Sequence, residues 1–289
     1  MFQKRFFMCF LFLFLITSFS FSNQNYGLLD SAKVLGAKEK ITGAQMDLKE
    51  MFMCNFWDFY TPQNNVDVRP IFYKQDWEKY GWLSIPSFSF YFFDAYGLKN
   101  GFEFSYKLNI STPSLNQQNI CGPSFFIDLN IKKSLLSNQF MFIAYKFSWA
   151  IGYNAYPGID IGIKNMVLFT TNTEKINFTF IPFLQDTLIF GISYYGSYLP
   201  YVLKNSPILS IEPGLELNWD INITEKFIFK VGLTTKYEVN FDLFQGTNAQ
   251  GNLSMALSFG WLGKYELGEN GLIKKKKSIM DDIDLKELE

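Results

Sequence analysis

This chain of 289 residues contains no histidine. Without histidine there is no Ser–His–Asp triad, no histidine-ligated metal site and no side chain that ordinarily titrates near neutral pH. Cysteine is scarce as well: Cys9 lies in the apolar N-terminal run, and only Cys54 and Cys121 remain. Two cysteines are too few for a disulfide scaffold or an ordinary structural zinc site, and their separation cannot be read from sequence. We therefore expect no enzymatic activity, no cofactor and no metal.

Strong net charge and long hydrophobic runs are also missing. The 26 basic and 27 acidic residues give a formal net charge of −1, which gives no support to nucleic-acid binding. Beyond residue 22, no apolar run reaches the roughly 18 residues of a membrane-spanning helix. Yet hydrophobic residues make up 48% of the chain and aromatic residues 19%, while the mean hydropathy is only +0.01. Apolar and polar residues must therefore be interleaved, as in strands that face lipid on one side only.

The N-terminus has the pattern of a secretory signal peptide. Lys4 and Arg5 precede an apolar run from Phe6 to Ile16, and small polar residues lead to a cleavage position after Ser22. The alternative, a single membrane anchor, requires roughly 20 apolar residues, which this run does not supply. The pattern predicts Sec-type export and removal of the first 22 residues.

Residues 208–242 alternate between apolar and polar side chains through two consecutive segments. Because side chains alternate across a strand, this stretch predicts a long hairpin with one apolar and one charged face. Each arm exceeds ten residues, which is enough for a tilted strand to cross a bilayer. A lysine facing the middle of the lipid costs about 2–4 kcal/mol, so the charged face must point into an interior. Six residues are the candidates for lining it, and we interpret them as luminal packing rather than a substrate site: Glu212, Glu216, Asp220, Lys230, Lys236 and Glu238.

Similar alternation recurs along most of the chain and predicts an all-β fold. Ten strands are expected near 83–93, 101–111, 124–132, 140–152, 158–168, 176–184, 187–196, 208–221, 226–241 and 251–263. Short turns between them favour an antiparallel up-and-down transmembrane β-barrel of about ten strands, within a range of eight to twelve. The rival interpretation is a soluble antiparallel protein whose apolar face is a core.

The chain divides into four parts. Residues 1–22 are the signal peptide, and residues 23–78 form an N-terminal periplasmic arm or luminal plug. We expect this arm to be weakly helical over Leu28–Met51, with two stretches that could add strands, Phe52–Tyr60 and Val66–Tyr73. Residues 79–263 form the barrel, and residues 264–289 form a charged, solvated tail.

The segment Leu253–Trp261 is amphipathic and ends on an aromatic residue. With the leader and the alternating strands, it resembles the final strand of integral outer-membrane β-barrel proteins of diderm bacteria, as a class rather than one family. The resemblance covers roughly residues 80–263. It implies localisation in the cell outer membrane, contact with outer-membrane lipid and insertion by the barrel assembly machinery. One departure is that most such barrels stop at the terminal aromatic residue, whereas this chain continues beyond Trp261.

A barrel of ten strands has an interior that side chains largely fill. This size favours a surface-exposed structural or binding role, with a narrow porin-like channel for small solutes as the alternative. The segments Gly196–Pro207 and Asp242–Gly251 are predicted to lie at the surface. One cluster within the first of them is the candidate contact for an external ligand, which the sequence does not identify: Tyr198, Leu199, Pro200 and Tyr201.

Overall fold

A computed structural model describes residues 29–62, 87–112, 123–154, 158–171, 173, 175–193, 204–205, 207–224, 226–242 and 246–267. Ten long strands account for most of them: β1 (Glu39–Pro62), β2 (Ser87–Gly97), β3 (Phe102–Ser111), β4 (Ser124–Ser137), β5 (Met141–Asn154), β6 (Gly158–Thr171), β7 (Ile176–Ser193), β9 (Ile208–Asn222), β10 (Phe227–Asp242) and β11 (Gly246–Glu266). The two-residue strand β8 (Lys204–Asn205) pairs with the end of β7. In these ranges, no helix has both the length and the apolar character that crossing a membrane requires.

The ten long strands close into a single antiparallel barrel. Around the ring, the order is β1, β2, β3, β4, β5, β6, β7, β9, β10 and β11, and β11 pairs back onto β1. Each of these strands therefore has a partner on both sides, which removes the exposed edges that invite aggregation. The predicted fold class and the predicted strand number are both confirmed.

The outer row of the strands exposes large apolar side chains, whereas the inner row combines polar side chains with a smaller number of buried apolar ones. On β9, the polar side chains of Ser210 and Asp220 are 1% and 2% exposed, whereas the apolar side chains of Leu209 and Leu215 are each 41% exposed. This pattern is the reverse of a water-soluble barrel, in which the apolar row fills the core. The soluble alternative is therefore excluded by the direction in which the two rows point.

The weak helix predicted over Leu28–Met51 is wrong. From Glu39 onward the chain forms β1, a strand of 24 residues between β2 and β11, so the barrel begins there and not near residue 79. The apolar residues Ile41, Ala44 and Leu48 are spaced like one face of a helix, which concealed the strand. The stretch predicted to add a strand at 52–60 lies within β1, and the one at 66–73 lies outside the described residues.

The two strands predicted at 176–184 and 187–196 are one continuous strand, β7, of 18 residues. The polar pair Gln185 and Asp186 was interpreted as a turn, but both residues keep their partners on β9, Glu212 and Ile211. The predicted count of ten strands is therefore right because two errors cancel: β1 was missed, and β7 was counted as two strands.

The two ends of the barrel differ in their connections. At the end where β1 starts and β11 stops, here called the turn end, residues 98–101, 138–140, 172–175 and 223–226 join the strands. In the first of these turns, Asn100 and Gly101 have φ values of 61° and 70°, in the left-handed region that asparagine and glycine tolerate best. The opposite end, here called the loop end, carries the connections across 63–86, 112–123, 155–157, 194–207 and 243–245, three of which are longer than any at the turn end.

The described parts of the two predicted surface segments belong to the loop end. Most of the segment Asp242–Gly251 is strand, because β10 ends at Asp242 and β11 begins at Gly246; only 243–245 separates the two strands. The four residues of the predicted contact cluster, 198–201, lie outside the described residues.

Candidate functional site

Residues 29–38, here called the luminal plug, enter the barrel at its turn end before β1 begins. Leu29 and Leu35 pack against one part of the wall, formed by Ile41, Phe93, Ala95, Ile228 and Leu262. Ala32 packs against another part, formed by Phe142, Ala144, Met166, Leu168, Ile181 and Phe183. The first group belongs to β1, β2, β10 and β11 and the second to β5, β6 and β7, so the plug fills the lumen between different sides of the ring.

A buried ion pair holds the backbone of the plug. The ammonium group of Lys132 lies 3.0 Å from the carboxylate of Glu103, and the two side chains are 2% and 1% exposed. Lys132 also donates hydrogen bonds to the carbonyl oxygens of Ser31, at 3.1 Å, and Lys33, at 2.8 Å. The backbone N–H of Leu35 donates to Glu103 at 3.0 Å. These main-chain groups of the plug are thus hydrogen-bonded inside the lumen, as buried main-chain groups must be.

The carboxylate of Asp30 lies between opposite walls of the barrel. Its two oxygens are 3.1 Å from the ammonium group of Lys146 on β5 and 3.4 Å from that of Lys230 on β10. Around the ring, β5 and β10 are four strands apart by the shorter way and six by the longer. The bridge Lys146–Asp30–Lys230 therefore crosses the lumen.

The charges around Asp30 decide its ionisation. Burial alone would raise the pKa of the Asp30 carboxyl, but the ammonium groups of Lys146, Lys230 and Lys107 outweigh burial and hold that pKa well below its usual range. Asp30 is therefore ionised at neutral pH. Its side chain lies at the inner tip of the plug and is 27% exposed.

Lys33 carries the second charge of the plug. Its ammonium group lies 5.4 Å from the ring centroid of Phe142, within the range of a cation–π contact. Burial lowers the pKa of Lys33 to about 8, although the nearby carboxylate of Asp220 acts in the opposite direction. Burial thus disfavours the charge of Lys33, whereas the surrounding lysines stabilise that of Asp30. The third charged residue of the plug, Lys38, is exposed.

Towards the loop end, luminal ion pairs join strands of the wall to one another. Lys164 lies 2.5 Å from Glu216, with side chains 23% and 18% exposed. Lys236 lies 2.5 Å from Glu212 and 3.5 Å from Glu238. The part of the lumen beyond the plug is therefore a charged chamber, in which two lysines of these pairs meet three carboxylates. In the portion of the chain that the structure describes, no group of three or more His, Cys, Asp or Glu side chains could hold a metal ion.

The six charged residues predicted to line the interior all lie on the buried or half-buried rows of β9 and β10. The hairpin joins Lys236 to Glu212, as alternation on adjacent arms predicts. Lys230 faces Asp220 in the strand register, yet its ammonium group lies beside Asp30 of the plug. Glu216 pairs outside the hairpin, with Lys164 of β6.

Of the residues that bind the plug, Lys230 was among the predicted lumen-lining residues, whereas Glu103, Lys132 and Lys146 were missed by the sequence analysis. Glu103 and Lys146 do stand in the polar rows of alternating segments, so their inward direction was available. Their partners were not, because Asp30 lies 116 residues from Lys146 and 200 from Lys230. No periodic pattern of the sequence encodes contacts at such separations.

The outer surface carries an apolar belt around the barrel. Nine neighbouring strands each expose at least one large apolar side chain to the outside: Phe90, Leu108, Ile127, Trp149, Ile163, Leu184, Leu215, Phe241 and Phe259. Near the turn end, the belt gives way to a polar cluster. There Asp94 accepts hydrogen bonds from Thr42 at 2.6 Å and Tyr106 at 2.7 Å and pairs with Lys40 at 3.0 Å.

No protein-family model and no curated protein matches this chain. Among solved structures, it is similar to the outer membrane protein OprG from Pseudomonas aeruginosa, at 8% identity and a TM-score of 0.32, over 81% of this chain and 99% of that chain. The outer membrane protease OmpT from Escherichia coli gives 7% identity and a TM-score of 0.37, over 81% and 100%. The toluene transporter TodX from P. putida gives 6% and 0.27, over 87% and 97%. At these values the likeness carries no argument about function. The expected resemblance to outer-membrane barrels is confirmed at the level of fold, by the closed antiparallel barrel of this chain itself.

Proposed function

We propose that this protein is an integral outer-membrane barrel with a surface-exposed structural or binding role and a lumen closed at its turn end. The observation that carries this proposal is the luminal plug, whose side chains and backbone are bonded to both sides of the ring. A polypeptide segment bonded across the lumen obstructs the passage of solutes, so the porin-like alternative requires that the plug first be displaced.

The outward apolar belt supports the membrane location. On β2 alone, Phe88, Phe90 and Phe92 are 42%, 41% and 54% exposed, and comparable side chains continue around the ring. Water-soluble monomers rarely expose contiguous apolar patches larger than a few hundred Å². Facing acyl chains, each such side chain is instead in a favourable environment.

The connections at the two ends support one orientation. Bacterial outer-membrane barrels place short turns in the periplasm and longer loops outside the cell. By that rule the turn end, with the plug and the end of β11, faces the periplasm, and the loop end faces the exterior. The segment 194–207 is then available to an external ligand, while export by a cleaved signal peptide delivers the chain to the assembly machinery.

The orientation predicts which engineered cysteines are accessible in intact cells. In a background with Cys54 and Cys121 replaced by serine, Pro200→Cys tests the loop end and Thr224→Cys the turn end. A membrane-impermeant maleimide should label the first variant in whole cells and the second only after lysis. Labelling of both variants, or of Thr224→Cys alone, in intact cells contradicts the proposal.

A closed lumen predicts that the purified wild-type protein is electrically silent. The folded barrel should migrate differently from the heated sample on SDS gels, and insertion into a planar bilayer should produce no conductance steps. Steady steps from the wild-type protein would overturn the closed-lumen proposal and favour the porin-like alternative.

A further inference from the structure

Two lysines on opposite walls share one carboxylate, and that carboxylate belongs to the plug. Lys146 and Lys230 each lie within 3.4 Å of an oxygen of Asp30. Their neighbours on the wall are paired differently, since Lys107 lies 3.2 Å from Asp128 and Lys132 lies 3.0 Å from Glu103. If the plug left the lumen, these two wall pairs would keep their carboxylates, whereas Lys146 and Lys230 would lose the carboxylate that they share.

We propose that the plug is a displaceable gate over a pore, in which Asp30 occupies an anion site formed by Lys146 and Lys230. This inference rests on the proposed membrane barrel and adds an activity to it. The ligands of the site are small anions, such as chloride or a carboxylate, that can replace the Asp30 side chain. Asp47, Asp220 and Glu216 also act on Lys230, so the site raises the chloride permeability of the open pore without making the pore anion-selective.

The barrel does not depend on the plug for closure. All ten long strands are paired on both sides without it, and residues 29–38 contribute no strand of their own. The plug is held by side-chain contacts from the wall and by three apolar side chains, Leu29, Ala32 and Leu35. Displacing it therefore breaks luminal contacts but no rung of the barrel ladder.

A close approach of two glycines ties the outer end of the plug to the rim. A Cβ atom on Gly97 would lie 1.8 Å from the carbonyl oxygen of Gly36, so only glycine lets the chain cross the rim there. The backbone N–H of Gly36 donates to Glu39 at 2.8 Å, and that of Lys38 donates to Gly97 at 3.2 Å. The plug is therefore a short flap that is hinged at the rim. Its outer end is fixed by backbone contacts, and its inner tip is held by the ion pairs of Asp30.

The test is conductance of the full-length Asp30→Ala protein in a planar bilayer under a KCl gradient. The variant should give discrete steps, with a chloride-to-potassium permeability ratio, calculated from the reversal potential, that is higher than in a variant that lacks both lysines. The matched control is Asp128→Asn, which removes a luminal carboxylate beside Lys107 without touching the plug, and it should stay silent like the wild type. Both variants are first checked for folding by heat-dependent migration on gels.

A second variant breaks the same bridge from the wall. Lys146→Gln with Lys230→Gln should also conduct, but with a lower chloride-to-potassium permeability ratio than Asp30→Ala, because the anion site is gone. The gate is refuted if either folded bridge variant is silent, or if Asp128→Asn conducts as well as Asp30→Ala. The anion site is refuted if the double variant has the same permeability ratio as Asp30→Ala. A conducting wild type would instead contradict the closed lumen of the proposed function, so the two failures are distinguishable.

Discussion

At the scale of residues, the buried pair of Lys132 and Glu103 makes the clearest stability prediction. Removing one partner leaves a buried charge without compensation, which costs about 3–5 kcal/mol. We expect Glu103→Ala to lower the free energy of unfolding by that amount, measured by urea titration in lipid vesicles with tryptophan fluorescence. The control is Lys264→Met: Lys264 pairs with Glu39 at 2.8 Å but is 53% exposed, so about 1 kcal/mol or less is expected. Equal losses in the two variants would contradict the account.

Lys33 predicts how stability changes with pH. Its pKa is about 8 in the folded protein, below its ordinary value of 10.5, so the unfolded chain binds more protons between these values. The contribution of Lys33 to stability therefore rises as the pH increases through this window. We expect Lys33→Met to be more stable than the wild type at pH 7, with a difference that narrows towards pH 10. A constant difference between pH 7 and pH 10 would show that Lys33 does not titrate as described.

At the scale of elements, β1 shows where sequence patterns stop being informative. Its inward row combines apolar Ile41 with polar Gln45 and Asp47, because its start faces the plug and its continuation faces a polar lumen. The strict alternation of β9 and β10 predicted their inward and outward rows, since their polar rows consist of charged and hydroxyl or amide residues almost throughout. A luminal plug was one of the two interpretations of residues 23–78, but the residues that hold it could not be derived from the sequence, because their contacts depend on closure of the ring.

Glycine substitutions distinguish a strand from a helix at residues 39–51. A Cβ atom on Gly43 would lie 2.4 Å from the ring of Phe93 and 2.7 Å from the carbonyl oxygen of Trp261. We expect Gly43→Ala to destabilise the barrel by about 1–3 kcal/mol, the usual cost of overpacking. In a solvent-exposed helix the same change would stabilise the protein by up to about 1 kcal/mol. The sign of the change in stability therefore distinguishes a strand from a helix. The control is Gly162→Ala, where the nearest atom is 3.5 Å away and the effect should be small.

At the scale of the whole molecule, closure, plug and belt form one arrangement. Because the ten strands close into a ring, none of them leaves an exposed sheet edge. The strand tilt that closure requires gives an interior close to the size that side chains fill. The plug completes that filling at the turn end, while ion pairs occupy the chamber beyond it. The apolar side chains of the outer row have no place in this interior and remain on the outside of the barrel, where lipid is a favourable environment for them.

The central claim is that the apolar row faces lipid and the ionic row faces an enclosed interior. Its most direct test is a scan of nitroxide side chains along residues 209–221 of β9 in lipid vesicles, with accessibility to oxygen, which concentrates in lipid, compared with a water-soluble nickel chelate. The account predicts a period of two, with oxygen accessibility high at positions 209, 211, 215 and 217 and low at 210, 212, 216 and 218. Equal accessibility at odd and even positions, or a higher nickel accessibility at the odd ones, would contradict it.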